Sequence, residues 1–137
     1  MSDSNLYTER LLRYWDQSLR GFPHQDYTHG ASASNLPCDD EVEFRVKLVG
    51  GGVDGSGLAI VDVWARGCCM VECCAAMLAE LARGKSLAWL DTFTNRDWVD
   101  YVNIPVSASR KESCLMLPLN CLRKTVDTPY VPMRRLI

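Results

Sequence analysis

The run Glu41-Val42-Glu43-Phe44-Arg45-Val46-Lys47-Leu48 decides the fold. Charged and apolar residues alternate through all of it. A two-residue period puts Val42, Phe44, Val46 and Leu48 on one side of an extended chain and Glu41, Glu43, Arg45 and Lys47 on the other. That is a strand with one buried and one solvated face, the pattern of an antiparallel sheet covered on a single side. Gly50-Gly51-Gly52 and Asp54-Gly55-Ser56-Gly57 follow, and then a second apolar run, Leu58 to Ala65, so the two strands should form a hairpin. The glycines join strand to strand. A phosphate cradle instead needs a strand running into a helix, whose first N–H groups face the anion, so nucleotide binding is not implied.

Downstream, Gly67 turns the chain into a helix expected from about Cys69 to Arg83, with Met70, Val71, Cys74, Met77, Leu78 and Leu81 as its apolar stripe and Gly84 as its stop. Leu87 to Tyr101 holds one or two short helices that end before Pro105. A last helix, about Arg110 to Val126, carries Cys114, Leu115, Leu119, Leu122 and Val126. Pro118 cannot donate to the Cys114 carbonyl and should kink or restart that helix. Upstream, Leu6 to about Leu19 reads as a helix on the spacing of Leu6, Tyr7, Leu11, Tyr14, Trp15 and Leu19, and ends at Gly21 and Pro23. Asp26 to Asn35 is compatible with an edge strand or a loop, and the tail Asp127 to Ile137, with Pro129 and Pro132, with an extended strap or loose chain. Strands early and helices late give an α+β class, a small antiparallel sheet of about three strands with helices packed on one face.

The 137 residues suit a single domain, 1–137, with its core over about 5–126. Fifteen Lys and Arg against seventeen Asp and Glu leave a net charge of −2, no footprint for nucleic acid or an anionic membrane. The longest stretch without a charge, Tyr27 to Cys38, is short of the roughly 20 apolar residues that a spanning helix needs. Asp3, Glu9, Arg10, Arg13 and Asp16 interrupt any apolar leader, so a cytoplasmic location is expected.

Seven cysteines stand out: Cys38, Cys68, Cys69, Cys73, Cys74, Cys114 and Cys121. An odd number without an export signal favours free or metal-bound thiols over disulfides. Cys38, Cys68 and Cys114 fall where the chain changes element, and at a helix start the exposed N–H groups favour the thiolate, which binds metal and attacks sulfur. Each is otherwise a small buried hydrophobe, and with no Cys-x-x-Cys pair both readings stay open from spacing alone. Cys69, Cys73, Cys74 and Cys121 read as packing. His24 and His29, the two imidazoles, read as surface or hydrogen-bonded groups, His29 being the better candidate for an auxiliary ligand. No catalytic triad or carboxylate pair is evident.

Three motifs in order resemble the iron–sulfur cluster scaffold family of IscU, SufU and the N-terminal domain of NifU. Asn35-Leu36-Pro37-Cys38-Asp39-Asp40 is similar to its Asn-Pro-x-Cys-Gly-Asp motif. Gly67-Cys68, followed by a small-residue helix ending in Gly84-Lys85, is similar to its second motif, and Cys114 in a late helix to its third cysteine. The resemblance covers about residues 5–126 and implies a SufE/NifU-like fold. It also implies an open site of three cysteinates and one carboxylate: Cys38, Asp40, Cys68 and Cys114. Such a site would hold iron, a transient Fe–S cluster or zinc, with Cys114 as acceptor of persulfide sulfur from a SufS- or IscS-like cysteine desulfurase and with apoproteins as recipients. Soft thiolates with one harder, more weakly held carboxylate suit a cargo that must enter and leave. The implied protein is a scaffold or sulfur acceptor more than a true enzyme. A zinc-dependent sulfurtransferase and a metal-free module with structural cysteines are the alternatives. Two departures bear on this. Asp39 stands where the family has glycine and reads as a solvated turn residue. Ser113 stands where the IscU branch has histidine. The SufU branch lacks that histidine too, but carries an insertion absent here; Arg110 or Lys111 would supply its basic residue ahead of the third cysteine.

Overall fold

The protein is described from a computed structural model covering residues 21–35, 39–52, 55–103 and 109–131. The helix expected over Leu6 to Leu19, the motif residues Leu36 to Cys38, and the last six residues of the tail lie outside these. Three strands, β1 (His29–Asn35), β2 (Asp40–Gly52) and β3 (Gly55–Arg66), form one antiparallel sheet in the order β1-β2-β3. The alternating run sits at its centre. Val42, Phe44 and Val46 pair with Ala65, Val63 and Val61 and are buried together, while Glu41, Glu43 and Arg45 pair with Arg66, Trp64 and Asp62 on the opposite face. Both hairpin strands reach further into the glycine-rich connection than their apolar runs, pairing as far as Gly52 with Gly55.

The stretch whose sequence left strand or loop open is the edge strand β1. Its first residues are pinned by the returning tail: Gly30 donates to the Thr128 carbonyl, Tyr130 donates to the Thr28 carbonyl, and His29 bridges to Pro129. Gly30 lacks a side chain where the Tyr130 ring passes, since a Cβ there would lie 3.0 Å from Tyr130 Cδ1. The first part of the tail is therefore a strap.

Four helices follow the sheet: α1 (Cys69–Ala82), α2 (Leu87–Thr92), α3 (Asn95–Val102) and α4 (Ser109–Thr125). Ser86 caps α2, and a Thr94–Asp97 capping box opens α3. Helix α1 was expected to bury one stripe; Met70 to Ala79 are buried on every side. It is held between β3 and α4, and its run of Cys73, Cys74, Ala75, Ala76 and Ala79 is small enough for both neighbours to approach closely. The kink or restart expected at Pro118 is replaced by one continuous helix. Proline removes a single i→i−4 bond, and the burial of Leu115, Leu117, Leu119 and Leu122 around it holds the turn. The Trp98 indole N–H donates to the Leu115 carbonyl at 2.8 Å, tying α3 to α4. Among the described residues no helix is long and apolar enough to cross a membrane.

Candidate metal centre

The site lies where β2 begins and β3 ends. The register pairs Glu41 with Arg66, which brings Asp40, the first residue of β2, beside Gly67, the residue after β3. Asp40 is completely buried. Gly67 has φ +146°, and a Cβ on it would overlap the Asp40 carboxylate, so only glycine lets the two chains meet here. Asp39, exposed and at φ 57°, swings the chain into β2; this is the left-handed conformation for which glycine is the easiest residue and aspartate a tolerated one.

Cys68 is the N-cap of α1, and its side chain makes no capping bond. Its N–H donates instead to Asp40 Oδ1 at 3.0 Å. From the first third of α4, the Cys114 thiol donates to Asp40 Oδ2 at 3.1 Å. One buried carboxylate thus joins a strand start, a helix start and a second helix. The Cys68 and Cys114 sulfurs and a carboxylate oxygen of Asp40 all lie within 4.8 Å of one another. Cys68 is exposed and Cys114 is 4% exposed, so the cluster opens to solvent on the Cys68 side. Burial pushes the Cys114 thiol far above the usual range, reinforced by its hydrogen bond to Asp40 and by the neighbouring Cys68. Without a cation the site therefore keeps a proton on Cys114. The donor set, two thiols and a carboxylate with one open side, fits a thiophilic metal whose charge would displace that proton.

Of the expected ligands, Asp40, Cys68 and Cys114 come together, and Cys38 lies outside the described residues. Asp39 is at the exposed turn and not in the cluster. His29 sits at the far end of β1 from the site, with Nδ1 on Thr28 Oγ1, so its candidacy as an auxiliary ligand fails on strand register: Asn35, not His29, is opposite Asp40. His24 bonds Asp62 through Nδ1 at 2.6 Å, on the other side of the sheet. Ser113 is exposed and accepts from Asn35 Nδ2 at 3.3 Å, linking the end of β1 to α4. The side chains of Cys69, Arg110 and Lys111 lie outside the described set. Cys73, Cys74 and Cys121 are core residues. Sequence reasoning missed Glu72, which is buried and accepts from the Gly67 N–H at 3.3 Å; the available signal was one acid inside an otherwise small and apolar helix, Cys69 to Ala79.

No protein-family model and no curated protein matches the chain. Solved structures do. An iron–sulfur cluster assembly scaffold protein assigned to the SUF system of the thermophile Fervidobacterium islandicum AW-1 aligns with a TM-score of 0.61 at 18% identity, over 91% of this chain and 99% of its own. The N-terminal part of a nitrogen-fixing NifU-like protein from Brucella abortus aligns with a TM-score of 0.64 at 13% identity, over 90% of this chain and 93% of its own. The chain has the fold of these proteins, in the α+β arrangement expected from the sequence.

Proposed function

We propose that the protein is an iron–sulfur cluster assembly scaffold. It takes iron and a nascent cluster as cargo on Cys38, Asp40, Cys68 and Cys114, within one domain over residues 1–137 and in the cytoplasm. The single observation that supports this best is the Asp40–Cys68–Cys114 cluster, within 4.8 Å and open on one side, in a fold shared with scaffold proteins. A structural zinc site is closed by four Cys or His ligands; a carboxylate in the shell favours release. In this reading Cys114 takes sulfur from a cysteine desulfurase. The Cys114 sulfur gives up its proton and attacks the outer sulfur of the enzyme's persulfide, a new S–S bond forms on Cys114 as the old one breaks, and the desulfurase cysteine leaves as a thiolate that takes up the proton. Finished clusters pass to apoproteins.

A second reading, a zinc-dependent sulfur acceptor, is favoured by Ser113. The position beside Cys114 offers a hydroxyl engaged with Asn35 and no nitrogen donor for a cluster. Anaerobic reconstitution with ferrous iron and sulfide separates the two. Thiolate-to-iron absorption with stoichiometric sulfide is the scaffold's result. Tight stoichiometric zinc without cluster uptake would replace it by the second reading, and neither would leave a metal-free module.

A further inference from the structure

Helix α1 begins in an unusual way. Its N-cap side chain is a thiol that caps nothing, and the N–H groups at the turn are served by two buried carboxylates, Asp40 from the start of β2 and Glu72 from α1 itself. Asp40 Oδ1 accepts from Cys68 N, and Glu72 Oε2 accepts from Gly67 N at 3.3 Å. Glu72 lies in the first turn of α1, where its charge complements the helix dipole. A solvated glutamate would provide that as well. Glutamate is rarely buried, yet Glu72 is only 8% exposed. Burial in this place has a consequence for Cys68: the two acids hold the consecutive N–H groups of Gly67 and Cys68, and the exposed Cys68 sulfur is left beside Cys114.

We infer that Glu72 is a positioning residue for Cys68, holding the Gly67-Cys68 turn so that the exposed sulfur stays within reach of Asp40 and Cys114. The inference rests on the reading of Cys68 as a metal ligand. Its physical content is a hydrogen bond from the Gly67 N–H to a fixed acceptor rather than a charge. Residues that orient a metal ligand in this way are commonly worth 10- to 100-fold in metal affinity, on the order of the ligand's own misplacement.

Two variants separate reach from charge. Glu72→Gln keeps an oxygen at the same distance and loses the charge; Glu72→Asp keeps the charge and stops one methylene short of Gly67 N. Two readouts apply to each: the iodoacetamide alkylation rate of Cys68 relative to Cys114 in metal-free protein, resolved by peptide mass spectrometry, and Co2+ affinity by absorption. Glu72→Asp should raise the Cys68-to-Cys114 alkylation ratio several-fold and weaken Co2+ binding about tenfold. Glu72→Gln should stay within about twofold of the parent on both. The inference is overturned if Glu72→Asp behaves as the parent, if Glu72→Gln is impaired as much as Glu72→Asp, or if both cysteines gain reactivity equally. Should the parent protein take up no Co2+, the metal reading fails, and the alkylation ratio alone still decides the role of Glu72.

Discussion

The Asp40 carboxylate occupies the space that a Cβ on Gly67 would need. Sequence-distant residues are therefore in contact through the absence of a side chain. Gly67→Ala would put a methyl into that carboxylate and within 3.0 Å of the Asp40 Cα, at a φ of +146° that alanine disfavours. The expected loss is about 3 kcal/mol, from overpacking and backbone strain together. Urea unfolding of the variant checks this, and a midpoint equal to the parent's would mean that Asp40 and Gly67 are not in contact.

The left-handed turn at Asp39 makes a contrasting case. Asp39→Gly should stay within about 1 kcal/mol of the parent, since relief of the positive φ is offset by added freedom in the unfolded chain. Asp39→Val, β-branched at φ 57°, should cost about 2 kcal/mol more than Asp39→Gly. Equal stability of the two in urea would remove the left-handed assignment.

Alkaline stability should be limited by buried thiols. Burial pushes the Cys121 thiol up to about 11 from an ordinary 9.0. A raised folded-state value means that the contribution is intact below about pH 9 and is lost as pH climbs from there through 11. The whole effect is about 3 kcal/mol, at roughly 1.4 kcal/mol per unit. Cys114 and Tyr27, both raised by burial first, act in the same direction. Unfolding free energies measured between pH 8 and 10.5 should fall less steeply in Cys121→Ala than in the parent, and parallel slopes would contradict the assignment.

Metal uptake should release protons. The Cys114 thiol is held protonated well above its usual range and must lose that proton to a cation, so affinity should rise with pH, about tenfold per unit for each proton displaced. Competition titrations with Zn2+ from pH 6.5 to 8.5 measure the slope. An affinity independent of pH would exclude Cys114 as a ligand.

Much of the fold was legible because its central strand alternates and its longest apolar helix, α1, stops just before Gly84. The edge strand β1 was not, because the alternation of Ala31, Ser32, Ala33 and Ser34 is between small residues with little hydrophobic contrast, and its pairing is imposed by β2 and the returning tail. Nor was the full burial of α1, since helical periodicity reports one face and the second is created by α4. Continuity through Pro118 came from packing, which outweighs one missing hydrogen bond. At the site, Asp40, Cys68 and Cys114 could be picked out by motif and element boundary. The role of Gly67 under the carboxylate could not, because it depends on the register of β2 against β3, and the acceptor Glu72 could not, because its bond to Gly67 depends on how the chain turns into α1.

The central claim is that Asp40, Cys68 and Cys114 together hold a thiophilic metal, and Co2+ titration of the metal-free protein under anaerobic conditions tests it most directly. The account expects stoichiometric uptake with thiolate-to-cobalt charge-transfer absorption, reduced in Cys68→Ser and in Cys114→Ser and lost in the double variant. Charge-transfer absorption of full intensity in that double variant, or none in the parent, would contradict it.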